Sequence, residues 1–109
     1  MLRARAEPFG FATDRRGKVI IPHPVLLITV GADVQDDRIE ATVLGWPRTG
    51  APYVLGQVTF EGNTLDDAVW SKFDHWLRTA RWRNGRGWRM GVDAVAVDSG
   101  GRVGRTQRI

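Results

Sequence analysis

A near-continuous apolar run from Leu26 to Val30, broken only by Thr29, passes through Gly31 and Ala32 and stops on an acid, Asp33. Leu26 to Asp33 is therefore the first expected strand, and its unrelieved apolar character is what a strand buried on both faces requires. The run is far shorter than the roughly 20 apolar residues of a membrane-spanning helix. Gln35-Asp36-Asp37 then supplies a polar turn. Arg38 to Trp46, with β-branched and aromatic content, reads as a second strand, Pro47-Arg48-Thr49-Gly50 as a turn, and Tyr53 to Phe60 as a third strand. Connections this short make the three strands an antiparallel meander.

A helix follows. Thr64 and Asp67 have capping-box spacing, Asp66 and Asp67 lie in the first turn where the helix dipole favours acids, and Leu65, Val69, Phe73, Trp76 and Leu77 recur on one face. The pattern fades near Thr79–Arg83, and Asn84-Gly85-Arg86-Gly87 reads as a flexible turn. A fourth strand is expected from about Arg89 to Val97, ending at Asp98 and broken by Ser99-Gly100-Gly101. The fold class is α/β with the order β-β-β-α-β. A helical crossover lets the fourth strand lie parallel to the first. Asp33 and Asp98 then end two strands at one edge of the sheet.

Two aspartates brought together repel unless a cation or a proton lies between them, and hard divalent cations prefer carboxylate oxygens. Asp33 and Asp98 are thus the candidate ligands of a hard divalent cation. Asp36 and Asp37 read as solvated turn residues. Glu40 alternates outward with Thr42, at the surface or supporting the site. The chain has 109 residues, enough for one modest domain, and no cysteine, which excludes disulfides and thiolate metal sites. Its net charge of +4 suits a polyanionic partner. Fourteen of its 16 basic residues are Arg. A codon bias and phosphate recognition by guanidinium groups both account for that, and composition does not separate them. Within Arg78 to Arg89, the cations Arg78, Arg81, Arg83, Arg86 and Arg89 are interleaved with Trp82 and Trp88, and Arg81, Arg83 and Arg86 are the candidate DNA contacts. This pattern fits a DNA-tracking loop, and equally a solvated helix end whose tryptophans pack.

The stretch Gly31-Ala32-Asp33-Val34-Gln35-Asp36-Asp37-Arg38-Ile39-Glu40, followed by Gly45-Trp46, resembles the start of the nuclease domain in the large terminase subunit of tailed phages, the lambda GpA type. In that family an apolar strand runs into G-V-D-V-Q-x-D-R-x-E and then G-W. Val97-Asp98-Ser99-Gly100-Gly101 resembles the family's I-D-S-G-G segment. Ala32 replaces the usual valine. The resemblance covers residues 25–101.

It implies a ribonuclease H-like mixed sheet and a metal-dependent endonuclease that cuts concatemeric double-stranded DNA during packaging. Asp33 and Asp98 match metal-ligand positions, for Mg²⁺ or Mn²⁺. The small terminase subunit and the portal would be partners of the intact protein, in the cytoplasm of a bacterial host. The implied organisation is a basic lead-in over 1–24, a partial nuclease domain over 25–101 and a frayed or truncated tail over 102–109. Such folds take a further acidic ligand from a later helix, and the chain stops at Ile109 before one. No G-x-x-x-x-G-K-[ST] motor motif is present. The expectation is a fragment with an incomplete sheet and an incomplete site. The alternative is a non-catalytic basic remnant that binds DNA or a phage protein.

Other readings fit less. Asp98-Ser99-Gly100-Gly101 is similar to the nucleophile segment of trypsin-like proteases, but the chain is too short for two barrels. His75 lies beside the helix's apolar face with no second His or Cys at ligand spacing. An actin-like ATPase would show glycines after Asp33, where Val34-Gln35 stands.

Overall fold

The computed structural model describes residues 20–99. The lead-in before Ile20 and the segment from Gly100 to Ile109 lie outside the described residues, and with them the Gly100-Gly101 break and the tail over 102–109.

The apolar run forms strand β2, Leu27–Val34, preceded by the short strand β1, Ile20–Ile21. Burial in β2 alternates: Ile28, Val30, Ala32 and Val34 are inside, whereas Leu27 and Asp33 are exposed. The expectation of burial on both faces is therefore corrected. Period two governs after all, because only one face of β2 is covered among the described residues.

Strands β3, Arg38–Trp46, and β4, Tyr53–Glu61, complete the meander, both antiparallel to their predecessors. The register of this pair shifts at Val43/Leu44. An ideal Cβ on Gly45 would sit 2.8–2.9 Å from Val25 and Leu55, so glycine lets these side chains close over the strand there. Beside it, Trp46 Nε1–H donates to Thr29 Oγ1 at 2.8 Å.

Helix α1, Asp67–Thr79, covers the apolar face of the sheet. Its entry differs from the capping-box expectation. Asp66 is the N-cap residue and makes no side-chain cap bond, while Thr64 is fully buried and used elsewhere. Thr64 Oγ1–H donates to the Gln35 carbonyl at 2.6 Å, and Trp70 Nε1–H donates to the Thr64 carbonyl at 2.8 Å. The helix is thus tied to the turn after β2. Leu65, expected on the buried face, is 61% exposed because it precedes the first helical turn. Trp70 takes the inner position, in an aromatic cluster with Phe60, Phe73, Trp76 and Trp82.

After the helix the structure departs most from expectation. The single strand expected over Arg89–Val97 is two. Strand β5, Trp82–Asn84, and strand β6, Arg89–Met90, form a hairpin that joins β1 in a small sheet of order β1-β5-β6. Residues 91–93 leave it, and strand β7, Ala94–Asp98, enters the main sheet, whose order is β4-β3-β2-β7. Trp82 explains the split: it is buried against Trp76 of α1 and anchors the hairpin there. Ile21, in the segment read as lead-in, is fully buried in the core.

Strand β7 lies parallel to β2, as a helical crossover requires. Asp93 fixes its register. The Asp93 backbone N–H donates to the Ile28 carbonyl, and Ile28 N–H donates to Asp93 Oδ2, each at 2.8 Å. Five residues further along both strands, Asp98 falls opposite Asp33.

This clip is testable. Asp93→Ala leaves the amide of fully buried Ile28 without an acceptor, so we expect a loss of about 1–3 kcal/mol in urea unfolding. Asp93→Asn keeps an acceptor and should lose less than half of that. Equal midpoints for wild type and Asp93→Ala would mean that the register is fixed elsewhere.

Candidate metal centre

The open face of the sheet follows from its registers. Asp98 on β7 pairs with Asp33 on β2, Asp33 with Glu40 on β3, and Glu40 with Thr59 on β4. These four side chains form one row. The next row holds Ala96, Gly31, Thr42 and Gln57. Small and polar residues here leave a groove of about 440 Å³ along the face, with Asp33, Asp98 and Glu40 in its wall. Adjacent strands are about 4.8 Å apart, so neighbouring carboxylates in the row are within reach of a shared cation.

Each acid is positioned locally. Asp33 is exposed, and Gln35 Nε2–H donates to its Oδ2 at 2.9 Å. Gln35 is in turn fixed from behind by the bond that its carbonyl accepts from Thr64. Arg38 holds Glu40: its Nε donates to Glu40 Oε1 at 3.0 Å, while Nη1 donates to Asp37 Oδ1 at 2.7 Å. These bonds, that to Glu40 first and that to Asp37 next, hold the Arg38 guanidinium above its ordinary pKa. Among the described residues, no group of three or more His, Cys, Asp or Glu is arranged to hold a metal ion. Glu40 is held by Arg38, and beside it in the row Asp33 and Asp98 are register partners. The donor chemistry of that pair, two carboxylates side by side on an open face, fits a hard divalent cation.

The remaining site residues named from sequence are elsewhere. Arg83 and Arg86 belong to the β5–β6 hairpin, which shares a pocket with Leu26 and Asp93 near the Ile28 end of β2. Arg81 precedes it, with Nη1–H donating to the Ala80 carbonyl at 2.7 Å and the guanidinium lying across Gly91. His75 is exposed on α1. Sequence reasoning missed the role of Asp93 and misassigned that of Thr64. Neither role carries a local signal, since the partners, Ile28 and Gln35, are distant in the chain.

The family model of the terminase large subunit gpA endonuclease domain matches residues 1–109, the whole chain. No curated protein and no solved structure matches.

Like charges placed opposite one another on neighbouring strands are destabilising. Asp33→Asn keeps an acceptor for Gln35 and removes this repulsion. In EDTA we expect the variant to unfold at the same urea concentration as wild type or a slightly higher one. A loss above about 1 kcal/mol would mark Asp33 as a structural residue instead.

Proposed function

The chain belongs to the terminase large subunit gpA endonuclease family, and from that membership we propose that it carries a divalent-metal site for DNA cleavage at Asp33 and Asp98. The observation that supports this reading most is the register pairing of the two aspartates on an open, polar sheet face. The proposed fold type is ribonuclease H-like: an antiparallel meander, then a helical crossover to a parallel edge strand. The proposed substrate is concatemeric double-stranded DNA, cut during packaging. The small terminase subunit and the portal are the proposed partners of the assembled machine, in the cytoplasm of the host cell. No helix among the described residues is long and apolar enough to cross a membrane.

Asp33 and Asp98 would hold Mg²⁺ or Mn²⁺. The chemistry such an ion supplies when bound is Lewis-acid stabilisation of charge on the oxygens of a phosphodiester. Gln35 orients Asp33 by fixing one of its oxygens, which leaves the other free to ligate. Arg38 holds Glu40 beside the pair and keeps its negative charge in the row.

Relaxation of supercoiled plasmid tests the reading. With Mn²⁺ or Mg²⁺ we expect nicking that EDTA stops and that Asp33→Asn and Asp98→Asn each reduce at least about a hundredfold, the scale of losing electrostatic stabilisation at the reacting phosphate. Mn²⁺ should also raise the melting temperature of wild type, since a ligand at about 100 times its Kd adds about 2.7 kcal/mol, and it should not raise that of Asp33→Asn. Nicking that survives both substitutions would remove these aspartates from the mechanism. DNA binding with neither nicking nor a metal-induced shift would favour a non-catalytic DNA-binding module.

A further inference from the structure

The β5–β6 hairpin has a polar face that the metal site does not use. Arg83 and Arg89 are cross-strand partners on it, and both are exposed. Their neighbours Trp82 and Met90 form the inner pair, Trp82 being buried. Two like charges directly opposed in an antiparallel pair destabilise it. Neither guanidinium makes an ion pair among the described residues.

The turn between the strands adds a third cation and an aromatic ring, both held in place. Asn84 is buried, and its Oδ1 accepts from the backbone N–H of Arg86 at 2.9 Å and of Trp88 at 3.0 Å. Gly87, at φ +84°, closes the turn in a conformation that glycine takes without strain. Arg86 Nε–H donates to His23 Nε2 at 3.0 Å, and its Cζ lies 5.5 Å from the centre of the Trp88 ring. Trp88 is nonetheless 63% exposed, and Leu26 beside it is 52% exposed. The one carboxylate at this pocket, Asp93, has Oδ2 taken by Ile28.

We propose that this hairpin is a second DNA-contact site, binding backbone phosphates through Arg83, Arg86 and Arg89 and stacking an unpaired base on Trp88, independently of the metal. It rests on DNA being the substrate. The opposed arginines lower their mutual repulsion when phosphates come between them, and a pre-formed turn loses little entropy on binding. The hairpin adjoins the Ile28 end of β2, and five strand steps of about 3.3 Å separate Ile28 from Asp33, roughly 17 Å. A DNA strand spanning both would run about five nucleotides at about 3.4 Å each. The hairpin therefore grips DNA away from the cleaved bond.

The test measures DNA binding by fluorescence anisotropy in EDTA across a salt series, in the Asp33→Asn background, with single-stranded and duplex oligonucleotides. Combining Arg83→Gln, Arg86→Gln and Arg89→Gln should weaken binding at least about tenfold at low salt. It should also make the salt slope shallower by about 0.7–0.9 for each phosphate no longer neutralised. The corresponding triple Lys variant should retain the slope. Trp88→Ala should weaken single-stranded binding by about fivefold or more and leave duplex binding nearly unchanged.

Unchanged affinity and slope in the Gln variant would overturn the proposal. So would equal losses in the Gln and Lys variants, which would point to packing rather than charge. Equal Trp88→Ala effects on both oligonucleotides would remove the stacked base. Because metal and cleavage are excluded from this measurement, a failure of plasmid nicking leaves its outcome intact, and a failure here leaves the metal reading intact.

Discussion

The parallel register between β2 and β7 is the constraint from which the rest of the site follows. It is fixed at one end by the reciprocal bonds between Ile28 and Asp93, and its consequence appears five residues away, where Asp98 stands opposite Asp33. Strand pairing has no tolerance for a one-residue slip here. Such a slip would turn Val97 toward the open face and Asp98 toward the helix-covered side, burying a charge and exposing an apolar side chain. The core of Val30, Ala32, Val34, Val69 and Phe73 thus enforces the position of carboxylates that are not themselves part of it. Burial on one face of the sheet offsets the repulsion tolerated on the other.

Charge is distributed along the same strand axis. Acids gather at the Asp33 end, with Asp98 and Glu40 in line, while Arg83, Arg86 and Arg89 gather at the Ile28 end. Among the described residues, Arg38 is a cation at the acidic end, and it is already engaged by Glu40 and Asp37. A polyanion approaching the sheet would meet exposed guanidinium groups at one end. At the other it would meet carboxylates that need a cation before they can accept a phosphate nearby. On the proposed reading, attachment and chemistry are separate tasks at separate ends of one strand.

How much of this was legible in the sequence depended on whether the determinant was local. Arg38–Trp46 carried its own strand pattern and formed as expected, and the acid at the end of the apolar run placed Asp33 within one residue of the strand's last position. The order of the main-sheet elements followed from connection lengths. The burial of β2 on a single face did not, because an apolar side chain such as Leu27 is allowed at the surface and the pattern alone cannot say which face is covered. Thr64 was misread for a physical reason: its spacing to Asp67 satisfies a helix cap, but its hydroxyl finds a stronger partner in the Gln35 carbonyl, a bond made only in the folded chain. Tertiary hydrogen bonding overrode a local motif.

The hairpin shows the same limit from the other side. Arg81, Arg83 and Arg86 looked equivalent as alternating cations, yet folding sorts them. Arg81 donates to the Ala80 carbonyl and lies across Gly91, whereas Arg83 and Arg89 come to stand opposite each other across the ribbon. The two tryptophans divide as well, Trp82 into the core as anchor and Trp88 outward. The anchoring residue decides which face the arginines occupy, because in a strand the neighbours of a buried ring must point away from it. Burying Trp82 against Trp76 is therefore what presents Arg83 to solvent, and the cationic face is a product of the aromatic core rather than of charge patterning.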